Sequence, residues 1–97
     1  MSEQSPWRLE GFVERFEAWA SHDRPTADER LLVLSWVMTR YDDPYHGVMR
    51  ADGFENLWFG VIPATRGPTV AIVCSYFIVE QSRTVRCDNF ARLGLPL

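Results

Sequence analysis

PTVAIVCSYFIVEQSRTVRCDNFARL, residues Pro68 to Leu93, decides the fold, because it reads as one long antiparallel hairpin. Thr69 to Val79 is a strand-like apolar run, Glu80–Arg83 a polar turn, and Thr84 to Ala91 the returning strand. Alternation sorts the side chains into two faces. One face takes Val70, Ile72, Cys74, Tyr76 and Ile78, with Val85, Cys87, Asn89 and Ala91 opposite, and is expected to pack on helices. The other takes Ser75, Phe77 and Val79, with Thr84, Arg86, Asp88 and Phe90 opposite, and suits solvent or a partner. With Gln81–Ser82 as the turn centre, Tyr76 faces Cys87 and Cys74 faces Asn89. The two thiols are then diagonal, at about 7–8 Å between backbone positions, too far for an unstrained disulfide. They are expected to be reduced and structural.

Working back along the chain, two helical patterns come first. Ser5 can cap the first helix and Pro6 suits its first turn. Leu9, Phe12, Val13, Phe16, Trp19 and Ala20 recur at helical spacing. The second helix opens on a capping box, Thr26 with Glu29. Its interior, LLVLSWVMTRY, is apolar almost all round, which predicts deep burial of Val33, Leu34 and Val37. Asp42-Asp43-Pro44 ends it. Beyond lie a loop or short edge strand around Val48–Arg50, a strand over Asn56–Ile62, and a loop over Ala64–Pro68. The expected fold is α+β: an N-terminal helical hairpin (6–42) packed on a three- to four-stranded antiparallel sheet (46–92), in a single domain.

Composition narrows the function classes. At 97 residues, with 46 % hydrophobic and 13 % aromatic content, the chain is expected to hold one folded core. The longest apolar run is too short for a membrane span, and the first residues lack the marks of a signal peptide, so a soluble cytoplasmic protein is the default expectation. The formal charge is −3. Residues 1–55 hold eleven acids and six arginines, whereas residues 56–97 hold two acids and four arginines. That mildly positive half falls short of the basic footprint of nucleic-acid binders, and RNA is disfavoured as a partner. His22 and His46 have no histidine or cysteine at ligand spacing, so neither a metal nor a cofactor is expected. No glycine-rich phosphate loop and no catalytic constellation stands out.

The candidate site is a surface. If Leu57 and Phe59 face the core, Trp58 joins Phe77, Phe90 and Arg86 on the open face, with Arg83 and Asp88 beside them. Aromatics next to arginine are common anchors of binding surfaces, and stacking platforms for bases as well. Two readings of this face stand together: it is open to a partner, or it is covered by the Tyr45–Phe54 segment or a second subunit.

Tyr41-Asp42-Asp43-Pro44, the Asn56-Leu57-Trp58-Phe59-Gly60 strand, and Ser75-Tyr76-Phe77-Ile78 with Arg83-Thr84-Val85-Arg86 resemble the RelE/ParE toxin superfamily over roughly residues 10–93. That resemblance implies a bacterial toxin of a toxin–antitoxin pair. RelE-like members cut messenger RNA on the ribosome, ParE-like members inhibit gyrase, and a flexible antitoxin blocks either. The chain differs from the family pattern in its acidity and in reading no strand ahead of the first helix. Its Ala91–Leu97 tail also has no tyrosine or histidine. The expected function is therefore a binding or regulatory module that engages a protein partner, or itself as a homodimer, through the open sheet face. The alternative is a toxin-like ribonuclease or gyrase inhibitor, with Arg86 and other arginines holding phosphate in the ribonuclease case.

Overall fold

The computed structural model describes residues 6–63 and 70–94. It is an α+β fold of two helices on one face of a five-stranded sheet. The elements run β1 (Arg8–Glu10), α1 (Phe12–Asp23), α2 (Ala27–Met38), a single 3-10 turn (Thr39–Tyr41), β2 (Met49–Arg50), β3 (Leu57–Val61), β4 (Val70–Val79) and β5 (Thr84–Gly94). The strand order is β1-β5-β4-β3-β2, with every pairing antiparallel except β1 on β5, which is parallel. The sheet is thus mixed and wider than the three or four antiparallel strands expected.

The difference begins at the N-terminus. Arg8-Leu9-Glu10 leaves the helical pattern and pairs with Thr84-Val85-Arg86. Gly11 makes the break, since its φ of +76° lies in the left-handed region that other residues rarely adopt. It caps α1 in place of Ser5, which lies outside the described residues, as do the expected Ala64–Pro68 loop, Thr69 and the last three residues. Leu9 keeps a core-facing position because its strand neighbour Val85 is itself buried.

The rest of the helical pair follows its sequence signals. Thr26 Oγ1 accepts from the Glu29 N–H at 3.1 Å, and Glu29 Oε1 accepts from the Thr26 N–H at 2.9 Å. Val33 and Val37 are buried, but Leu34 is 43 % exposed. An almost uniformly apolar helix has no single inward stripe, and α2 turns Leu31, Leu34 and Met38 outward.

On the sheet, Ile72, Cys74, Tyr76 and Ile78 meet the helices as expected, with Trp7, Trp19 and Trp36 in the same core. Gly60 lies beneath them, where an added Cβ would come within 2.8 Å of Val48 and 3.2 Å of Trp36. Only glycine fits that approach. Cys74 and Cys87 are both free and buried, and burial pushes the Cys74 thiol well above its usual pKa.

Past Asp88 the predicted faces of β5 invert. Tyr76 does pair with Cys87, but Ser75 pairs with Asn89 and Cys74 with Phe90, leaving Asp88 as the extra residue of a β-bulge. Phe90 therefore turns inward among Phe12, Phe16 and Trp19, with ring centroids 5.9–6.3 Å away. Asn89 is exposed where the plain alternation buried it.

Candidate functional site

Register assigns the open face strand by strand. Trp58 pairs with Tyr76, so it lies on the helix side of the sheet; Leu57 and Phe59 pair with Phe77 and Ser75 and lie on the open side. This reverses the expected placement of β3. The open face thus carries Met49 on β2, Leu57, Phe59 and Val61 on β3, and Val73, Phe77 and Val79 on β4. Met49 is 66 % and Val61 44 % exposed, and the others are half-buried by one another. The Tyr45–Phe54 segment does not take the covering role: it extends the sheet through β2 and sends Tyr45 to the helix side, against Trp58.

Beside this apolar block runs a charged stripe. Phe77 pairs with Arg86, and Arg86 with Glu10 on β1. Arg86 Nε lies 3.8 Å from Glu10 Oε1, and Arg8 Nη2 lies 3.7 Å from Glu10 Oε2. All three side chains are well exposed, so these contacts hold the stripe loosely. Ser75 Oγ donates to Asp88 Oδ2 at 2.8 Å, placing the bulge carboxylate on the same face. Two arginines and two acids make the stripe neutral on a chain of net charge −3.

The six residues singled out in the sequence therefore part company. Phe77, Arg86 and Asp88 share the open face. Phe90 is core. Arg83 sits at the hairpin turn in a left-handed conformation, φ +48°, with its guanidinium 4.5 Å from the Trp7 ring centroid. Trp58 belongs to an aromatic chain with Tyr45 and Trp7, closed by a hydrogen bond from the Tyr45 hydroxyl to Glu80. Desolvation, with Glu80 adding to it, pushes the Tyr45 hydroxyl up to about 12.

One chemistry-bearing residue went unmarked in the sequence. Arg40, 2 % exposed, is buried beneath the helices. Its Nη1 donates to the His46 carbonyl at 2.8 Å and to Tyr76 Oη at 3.1 Å, while Nε and Nη2 reach Thr39 Oγ1. The guanidinium lies 4.2 Å from the Trp36 ring centroid, and the Tyr76 hydroxyl passes the chain on to the Pro44 carbonyl. Every partner is neutral. Desolvation raises the Tyr76 pKa against the opposing pull of Arg40. This cluster pins the 42–48 segment to the sheet. Its signal was the one arginine inside an otherwise apolar helical run.

No protein-family model matches the chain, and neither a curated protein nor a solved structure matches it.

Proposed function

We propose that the protein is a small interaction module that uses the open face of its sheet, and that the surface it engages is the same face of a second copy. The carrying observation is the apolar block of Leu57, Phe59, Val61, Val73, Phe77 and Val79, which no described helix covers. A small domain that leaves such a block bare risks non-specific association. Sheet-on-sheet packing across a two-fold axis removes it from water. Charge supports self-association too. The Arg8, Arg86, Glu10 and Asp88 stripe is neutral, so a second copy meets no excess of like charge there.

Light scattering and thermal melts on Phe77→Glu test the reading. The expected result is a lower molar mass with the melting temperature little changed. A wild-type protein that stays monomeric at high micromolar concentration overturns it.

A second reading is favoured by one observation. β1 supplies the strand ahead of the helices that RelE/ParE-like toxins usually carry, and which the sequence had hidden. Its acidity argues against ribosome-bound RNA, and exposed Arg86 has no general base assigned beside it. Induction in a bacterium decides: growth arrest relieved by Arg86→Ala favours the toxin, and unchanged growth favours the module.

A further inference from the structure

β5 is eleven residues long, yet β1 pairs only with its first three, Thr84 to Arg86. From Asn89 to Leu93 its outer edge has no strand beside it among the described residues. Such edges are usually blunted by lysine, proline or a covering segment. Here the one charged side chain on the strip, Arg92, is folded away, with Nε on Asp23 Oδ2 at 2.7 Å and Nη1 on Glu29 Oε2 at 2.8 Å.

A helix forms one wall along this edge. The chain turns at Gly11 beside Cys87, and Asp23 meets Arg92, so α1 runs alongside β5 in the same direction. Twelve helical residues rise about 18 Å, close to the roughly 17 Å from Cys87 to Arg92 in extended chain. Between them lies a groove of about 440 Å³ lined by Arg15, Ala18, Trp19 and His22 against Asn89 to Arg92. Trp19 is buried, and its indole N–H has no acceptor among the described residues. A buried donor without a partner is rare in folded proteins.

The geometry points to this strip as a docking site for an extended acidic peptide of another protein, added as a further strand beside β5 under the wall of α1. The occupant's charge follows from the wall. Arg15 is exposed and makes no ion pair among the described residues, with His22 exposed further along the same helix face, while Asp23 and Glu29 share Arg92 and Asp88 is turned to Ser75. A second copy does not fit. Pairing β5 with its own equivalent sets the strands about 4.8 Å apart, whereas the two α1 helices that come with them need about 10 Å. The other edges of a second copy, β1 and β2, are only three and two residues long. A peptide without a helix of its own enters freely. Alternate side chains face the groove, so acids four positions apart, about 13 Å, span the roughly 10.5 Å rise from Arg15 to His22.

The test uses the full chain and an array of seven-residue peptides with glutamate at positions two and six, the rest drawn from Val, Ile, Thr and Tyr. A matched array carries lysine at the same two positions. The expected result is selective binding to glutamate members, with NMR shifts centred on Asn89–Leu93 and on the Trp19 indole proton. N-methylation of one set of alternate peptide amides should abolish binding, and methylation of the other set should leave it. Arg15→Glu, an exposed change, should weaken glutamate members several-fold with an unaltered melting temperature. Equal binding to both arrays, no binding to either, or indifference to both methylations overturns the proposal. Shifts centred on Phe77 and Phe59 also overturn it, while leaving the open-face reading intact.

Discussion

The two faces of the sheet invert the usual expectation about what is buried. The helix side holds a full positive charge, Arg40, and is sealed. The open side is mostly apolar beside Arg86, and no described helix covers it. On the covered face each nitrogen of the guanidinium finds a neutral acceptor and the group lies over a ring, so the charge is solvated by the protein. On the open face the charges of the stripe pair with one another beside the apolar block, and no described helix lies over them. Burial follows the path of the two helices, and side-chain polarity alone does not report it.

That contrast breaks most sharply at Arg40. Arg40→Met removes the donors that hold His46, Tyr76 and Thr39, and should destabilise the fold by about 2–5 kcal/mol in urea melts, at about 1–3 per buried acceptor left unmet. A loss under roughly 1 kcal/mol would mean that the sealed face does not depend on its charge. The two phenylalanines of the hairpin come next. Phe90→Ala should cost about 3–5 kcal/mol, because four aromatic rings meet there. Phe77→Ala on the open face should cost about 1 kcal/mol or less of monomer stability. Equal losses would erase the distinction between the faces.

Leu34→Ala sharpens the same point on α2. At 43 % exposure it should cost under about 1 kcal/mol, against the 2–5 typical of a buried leucine. An effect of similar size is expected at the Arg92 cluster. The Arg92 guanidinium, helped by the Thr26 N–H, holds the Glu29 carboxyl down at about 2 against a usual 4.5. A depressed carboxylate contributes stability above its unfolded pKa and loses it as pH falls through the folded one. Stability should therefore decline between pH 4.5 and 2. Arg92→Met should flatten that decline and cost about 1 kcal/mol at neutral pH.

Much of the fold was legible because its signals are local. The Thr26–Glu29 box, the Glu80–Arg83 turn and the long alternation of β4 each declare themselves within a few residues. β1 was not legible: a three-residue strand shows no alternation, and Leu9 fits the helical period of Phe12 and Phe16. Gly11 was its only mark. The bulge left a trace that plain alternation overrides. Two polar residues in succession, Asp88-Asn89, interrupt the Val85, Cys87, Phe90 series. Following that skip would have turned Phe90 inward. For β3 both faces are apolar, so no pattern could choose between Trp58 and Phe59. The choice was made by Gly60, whose bare backbone lets Trp36 and Val48 approach one side alone.

The pairing of β1 with β5 also sets a schedule for biosynthesis. Arg92 answers to Asp23 across 69 positions, and Arg8 waits on Thr84 across a longer stretch still. A nascent chain emerging from the ribosome can coil both helices at once. Their apolar sides stay without a sheet until β4 and β5 have followed, since contacts so distant in sequence form late. A ribosome stalled before Thr84 would therefore present an unfinished chain with Phe12, Phe16 and Trp19 uncovered, and chaperone capture should fall abruptly once translation carries β5 clear of the exit tunnel.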